Sequence, residues 1–453
     1  MGGTEYVEAV EALRRQYAQL PVGAPVRLGK RTSNLFRLRH ETSAPRLDVS
    51  AFAGVLEVDP VARTADVLGM TTYEQLVDAT LPHGLMPLVV PQLKTITLGG
   101  AVTGLGIESS SFRNGTPHES VLDMDVLTGD GRLVTCSRTE QPELFTGFPN
   151  SYGTLGYALR LRIELEPVQP YAHLRHVRVD GVAGAADLFA KVCAQRDHRG
   201  ERVDFVDGTW FSPDEVYVTL ATFTDDAPTL SDYTGQQVYY RSIQHKRQDW
   251  LTVRDYLWRW DTDWFWCSRA FGVQRPEVRR WVPRRYLRSD TWWRLAAFER
   301  RHGWKAAWDR RRGHPEREFV IQDVEIPVDR LGEFMSAFAR DVPIEPVWLC
   351  PLRQRDREVV WELYPLDPDV LYVNVGFWST VPLAPGEPDG THNRVVERLV
   401  DDLGGRKSLY STSYYDEDEF WRLYGGAAYE RLKKTYDPDG RLLDLYDKCV
   451  GRH

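Results

Sequence analysis

Apolar and polar positions along the chain repeat with two periods, and the switches between them mark out the elements. Residues 5–19 carry helical spacing. Residues 25–39 alternate apolar and basic side chains and turn at Ser33-Asn34, while 47–58 and 64–68 read as strands. Tyr73, Leu76, Val77 and Leu81 share one helical face within 72–83, with Thr71 or Thr72 as its cap. Residues 121–128 and 132–136 flank Gly129-Asp130-Gly131, the pattern of a tight hairpin. Residues 143–148 lead to a glycine cluster at 151–156, and 157–165 alternate as a strand.

Pro167 and Pro170 mark a boundary. Beyond it, strand 171–179, helix 182–197 and strands 203–211 and 215–223 follow in order. Strand 316–326, helix 331–340, strands 347–349 and 371–378, and a helix 392–403 ending at Gly404-Gly405 continue the pattern. Residues 417–436 read as helix. The order predicts an α+β protein with an antiparallel sheet in its second part. The predicted units are 1–168, 169–415 and a helical tail, 416–453, returning to the first.

The stretch 91–111, PQLKTITLGGAVTGLGIESSS, is the pivot. It holds Gly99, Gly100, Gly104 and Gly106, and no charge falls between Thr95 and Ile107. Glycines permit close approach of a ligand to backbone N–H groups, and with Ser109, Ser110 and Ser111 they suit a pyrophosphate. A tight loop between buried strands is the alternative. Gly104-Leu-Gly106 begins a GxGxxG, but Ser109 stands where the third glycine belongs and no clear helix follows. That argues against the doubly wound dinucleotide fold, not against a dinucleotide.

Composition narrows the picture. At 453 residues the chain is long enough for two or three domains. A net charge of −8 argues against a nucleic-acid partner. No apolar run spans a bilayer, and the first residues read as an amphipathic helix rather than a signal peptide, so a cytoplasmic protein is expected. Cys136, Cys193, Cys267, Cys350 and Cys449 are scattered and odd in number, pointing to neither a disulfide framework nor a metal site. Residues 241–312 stand apart, with 19 Lys or Arg against 8 Asp or Glu and 10 of the 15 tryptophans. That pairing suits contact with an anionic membrane surface, here the inner face of the cell membrane. Polyanion binding and internal Arg–Trp stacking are the alternatives.

Three strings, VVPQLKTITLGGAVTGLGIESSSFRNG, VLDMDVLTGDGRLVTCS and ELFTGFPNSYGTLGYALRLRIELEP, resemble the PCMH-type FAD-binding domain of the vanillyl-alcohol-oxidase flavoproteins. With Gln322-Asp323, Glu345-Pro-Val-Trp-Leu-Cys-Pro351 and LYSTSYYDEDEFWRLYGG, the chain is most similar to the sterol side-chain reductases (24-dehydrocholesterol reductase, Diminuto or seladin). Bacterial reductases of a methylene branch on a fatty acyl chain are further suspected relatives. The resemblance implies a two-subdomain FAD-binding domain with an α/β substrate, or cap, domain. It implies that Pro91, Thr97, Gly99, Gly100, Gly104, Gly106, Ile107, Glu108 and Ser109, with Gly153, Thr154 and Gly156, line FAD. The corresponding first loop, Lys30–Asn34, contains no histidine, so noncovalent FAD is expected.

The implied chemistry is reduction of an isolated carbon–carbon double bond in a lipid, with NADPH or NADH as electron donor. Such an alkene must be protonated before hydride can arrive, so the protein needs a placed acid in a dry slot. Candidates are Tyr414, Tyr410, Asp323, Glu325 and His392. A methylene-branched acyl chain of a phospholipid is the first substrate expected, and a Δ24-sterol side chain the alternative. An alcohol or sugar oxidase or dehydrogenase of the same fold, and a flavin-free lipid-binding protein, are the competing readings.

Overall fold

The computed structural model describes residues 3–21, 23–30, 36–37, 44–302 and 311–450. The expected turn at Ser33-Asn34, and the first loop apart from Lys30, lie outside them.

Six strands make the first sheet. Val55–Asp59, Thr64–Leu68, Gly156–Pro167, Val121–Thr128 and Leu133–Ser137 lie in that order, and Leu85–Pro87 also pairs with the long strand Gly156–Pro167. Its hairpin turns at Gly131, φ +84°, with Thr128 Oγ1 donating to Asp130 at 2.5 Å. The helix Tyr73–Thr80 starts at a capping box between Thr72 and Gln75 and buries Tyr73, Leu76 and Val77 against this sheet. Each such side chain stabilises the fold by about 1.5–3 kcal/mol relative to exposure.

The pivot differs from its expected form. Leu98–Thr103 is a short helix, and Thr97 Oγ1 accepts from Gly100 N–H at 3.2 Å to cap it. Two low-propensity glycines hide this helix from the pattern. Gly99 is needed because a Cβ there would lie 2.7 Å from the Gly69 carbonyl oxygen. The glycines of this turn therefore serve close packing of backbone on backbone as well as any ligand.

The second sheet has eight antiparallel strands, in the order Gln248–Thr252, Tyr171–Val179, Glu215–Thr224, Phe205–Ser212, Val347–Leu352, Tyr372–Pro382, Arg317–Pro327 and Arg406–Lys407. Alternation splits its side chains between two faces. Val206, Val218, Val324 and Val375 pack under the helices Gly181–Gln195, Leu331–Asp341 and Thr391–Asp402. Phe205, Trp348 and Cys350 instead join the core shared with the first sheet. Asp207, Asp323 and Glu325 alternate in register with that second set.

Within segment 241–312, residues 256–266 are all buried. Trp258, Trp260 and Trp266 belong to the shared core, and Trp264 and Trp292 pack with Leu93 and Leu287 in a smaller cluster. Internal stacking therefore describes these five tryptophans, not a membrane belt. Arg279 is buried too, its guanidinium paired with the Asp263 carboxylate at 2.6 and 3.0 Å. Residues 303–310 of the segment are outside the described residues.

The tail is two helices rather than one, Glu417–Leu423 and Gly426–Tyr436. They break at Gly425, φ +68°, where a Cβ would overlap the Glu362 carbonyl. Lys433 Nζ donates to the Thr154 carbonyl at 2.9 Å, and Val26 N–H to Arg441 at 2.9 Å, so the tail closes on the first sheet's unit.

Candidate active site

Two cavities meet at the pivot. Gly100, Thr103, Tyr152 and Lys30 line both. The first, about 190 Å³, runs from the pivot to the second sheet and is walled by Trp264, Phe265, Trp348, Trp378 and Tyr410. The second, about 580 Å³, runs from the pivot toward the tail.

Three residues of the first cavity's wall, Tyr152, Trp264 and Phe265, have left-handed backbones with φ of 52°, 48° and 58°. Non-glycine residues adopt that conformation at a cost of order 1–3 kcal/mol, and they concentrate at functional sites. Here the strained turns present aromatic faces to the slot. Phe265 lies 4.3 Å from Trp378 and 5.5 Å from Trp348, ring centre to ring centre.

One acid enters this wall. Asp323 lies on the strand Arg317–Pro327, opposite Gly376 on Tyr372–Pro382. A Cβ on Gly376 would sit 2.4 Å from Asp323 Oδ1 and 2.8 Å from the Trp378 ring, so only glycine leaves room for both. Asn374 Nδ2 donates to Asp323 at 3.0 Å. Tyr410 hydrogen-bonds the same carboxylate and accepts from Trp378 Nε1 at 2.7 Å. Burial pushes the Asp323 carboxyl up to about 6 and holds the Tyr410 phenol well above its usual range. Two residues along, Glu325 is fully buried, accepts from the Tyr364 hydroxyl, and is pushed by burial up to about 8.

Of the five acid candidates, Asp323 and Tyr410 line the slot and Glu325 lies two residues from Asp323 on the same strand. The other two line neither cavity. Tyr414 donates to Asp389 at 3.1 Å, and His392 Nδ1 lies 3.0 Å from the Glu318 carboxylate at a helix start. Asn374, Trp378, Tyr364 and Phe265 are site residues that the sequence reading did not single out. Alternation within 371–378 was the available signal for Asn374, Gly376 and Trp378.

The cofactor candidates divide likewise. Pro91, Thr97, Gly100, Gly104, Gly106 and Ile107 line the first cavity, and Gly99, Gly100 and Gly153 the second. Four do not face either. Glu108 pairs with the buried Arg259 at 2.8 Å, and Ser109 donates to Glu108 at 2.6 Å. Thr154 donates to the Ser151 carbonyl at 2.7 Å. Gly156 begins a strand, where a Cβ would meet the Leu127 carbonyl at 2.5 Å. Ser110 and Ser111 are engaged with the Leu88 carbonyl and the Glu108 N–H. All three serines are thus hydrogen-bonded within the protein.

An aromatic slot continuous with a larger cavity suits a flat ring system joined to a polyanion. The second cavity suits the anionic end, since Arg27, Lys30, Arg37, Arg46, Arg441 and Lys448 line it and, among the described residues, no carboxylate does. Comparison with known proteins agrees. Residues 6–137 match the FAD binding domain family model. Cytokinin dehydrogenase 6 of Oryza sativa subsp. japonica is 40% identical over 402 residues, covering 83% of this chain and 71% of the relative. The chain belongs to the PCMH-type FAD-binding oxidoreductases. Within them it is related to the Delta(24)-sterol reductases. The Rattus norvegicus protein of that name is 26% identical over 430 residues, covering 88% of this chain and 77% of its own. The Arabidopsis thaliana one is 25% identical over 476 residues, covering 93% and 79%. No described helix is long and apolar enough to cross a membrane.

Proposed function

We propose that the protein reduces an isolated carbon–carbon double bond in a lipid, with a nicotinamide cofactor, NADPH before NADH, as electron donor. The observation that carries this reading is the Asp323–Tyr410 pair set in an aromatic slot. Bound FAD, once reduced by the nicotinamide cofactor, would supply the hydride. The protein's own residues must supply a proton and survive a cation. Asp323 and Tyr410 hold the proton at the wall, where burial keeps both groups in their protonated forms at higher pH than in water. Protonation of a trisubstituted or methylene-type alkene leaves a tertiary cation. Its charge would face Trp264, Phe265, Trp348 and Trp378, whose ring faces attract cations by about 0.5–2 kcal/mol each.

The Delta(24)-sterol reductase relatives favour a sterol side chain as substrate. A methylene-branched fatty acyl chain of a phospholipid is the second reading, and one surface favours it. Residues 275–288 hold six arginines and one glutamate, in a protein of net charge −8. Trp281 is 76% exposed there, with Val278 and Tyr286 beside it in sequence and also exposed. Arg280 stacks on Trp281 and Arg285 on Tyr286, at 5.4 and 4.9 Å. This surface, rather than the whole of 241–312, is the part suited to an anionic bilayer.

The test incubates the flavoprotein anaerobically with NADPH and each alkene in D2O, and reads products by mass spectrometry. One solvent deuterium in a saturated product is expected, with bleaching of the flavin by NADPH. Reduction of the flavin by an alcohol, with fast reoxidation by oxygen, would establish the oxidase reading instead. Co-sedimentation with anionic vesicles, weakened by salt and by Trp281→Ala with Arg280→Glu and Arg285→Glu, checks the surface. Binding unchanged in that triple variant would refute it.

A further inference from the structure

The second cavity concentrates positive charge among its described lining residues. Among the described residues, six cationic side chains line it and no Asp or Glu does. Two of them converge from opposite ends of the chain. Arg37 is 4% exposed. Its Nη1 donates to the Leu409 carbonyl at 2.8 Å and to Cys449 Sγ at 3.0 Å, and its guanidinium lies 4.8 Å from the Tyr152 ring centre. Its Nη2 is buried with no partner. A buried guanidinium N–H without an acceptor is costly and calls for one. Lys448 lies in the short helix Leu445–Cys449, capped by Asp444, and reaches the second glycine cluster. A methyl group placed on Gly153 would sit 3.6 Å from its Nζ.

Burial acts first on Lys448, then the cations Arg37, Lys30 and Lys433, which lower it, while Cys449 raises it. Arg27, Arg46, Arg441 and the phenols of Tyr152 and Tyr157 are the other charged and titratable groups among the described residues of that wall. Lys433 has its own carboxylate, Asp437, at 2.7 Å. Asp444 is occupied in capping its helix, accepting from Tyr446 N–H at 2.8 Å.

We propose that Arg37 and Lys448 form a two-point seat for a phosphate of the flavin dinucleotide, so that the tail, far outside the matched FAD-binding segment, is part of the cofactor site. This rests on the FAD reading above. Glycine at 153 leaves the anion room beside the ammonium. Burial and the neighbouring cations lower Lys448 to about 7 in the apoprotein. A phosphate beside it reverses that bias, because an adjacent anion favours the charged amine. FAD binding at pH 8 therefore takes up a proton at Lys448.

The test titrates apoprotein with FAD and follows flavin fluorescence. Calorimetry at pH 8 in two buffers of different ionisation enthalpy reads the proton. Wild type should bind with net proton uptake. Lys448→Met should bind at least tenfold more weakly, and Arg37→Gln likewise. Lys448→Arg should keep the affinity and lose the uptake, because a guanidinium is already charged. Circular dichroism of each apoprotein checks folding, and if Lys448→Met fails to fold, the Arg variant decides alone. Less than a tenfold loss in folded Lys448→Met, or uptake unchanged in Lys448→Arg, would overturn the assignment. Failure of wild type to bind FAD would instead defeat the cofactor reading itself.

Discussion

Asp323 and Glu325 are two carboxyls on one strand with different duties. Asp323 borders the slot, while Glu325 is fully buried and accepts from Tyr364. Asp323→Asn should lower turnover by about 10²–10⁴, the range for a lost general acid, with flavin retained. Product formation by the purified variant checks this, and full activity would clear Asp323 of the role. Glu325 makes a separate, measurable prediction about stability. Its carboxyl titrates near 8 in the folded protein and at 4.5 ordinarily. Between those values the folded state holds a proton that the unfolded chain has lost, so stability falls as pH rises through that window. Glu325→Gln has no such proton to lose. Relative to wild type, its melting temperature should gain more at pH 8 than at pH 5. Equal gains at both would place the charge elsewhere.

The helix Leu98–Thr103 is held to the first sheet by main chain alone at Gly69. Leu98 N–H donates to the Thr71 carbonyl and Gly99 N–H to the Gly69 carbonyl, both at 2.9 Å. Gly99→Val would force them apart and tilt the wall shared by both cavities. The expected result is loss of FAD, read as absorbance, from a protein that still shows its far-ultraviolet signal. The strands and long helices around this element were legible in sequence because their periods are local. The Asp-Gly hairpin and the Thr72 cap came through for the same reason. The helix at 98 was not legible, since Gly99 is chosen by the approach of Gly69, and Gly100 by that of the Thr97 hydroxyl, rather than by helix propensity. Trp258, Trp260 and Trp266 misled for a different reason. Arginine beside tryptophan serves a core as well as a bilayer, and only tertiary burial separates the two. Pairing of Arg37 with Lys448 left no local trace at all, because more than four hundred positions intervene.

Arg259 ties the two sheets together from the inside. Wholly buried, its Nη2 meets Glu108 at 2.8 Å and Asp207 at 2.9 Å, and Trp348 Nε1 donates to the same Asp207 at 3.2 Å. Glu108 belongs to the pivot while Asp207 belongs to the second sheet, so one side chain bridges the two units. Arg259→Met leaves two buried carboxylates uncompensated and should cost about 3–5 kcal/mol, by the usual measure of a broken buried pair. Chemical denaturation checks this, and adding Glu108→Gln with Asp207→Asn should restore much of the loss. The tail contributes a different kind of closure. Synthesis runs from Arg37 toward Lys448, and at about 5–20 residues per second the interval between them is tens of seconds. Throughout that time the FAD-matching segment exists as a nascent chain whose phosphate seat lacks one of its two points. On the proposed seat, flavin binds at least tenfold more weakly until residue 448 has been translated, so a ribosome stalled earlier should hold a chain that takes up flavin poorly.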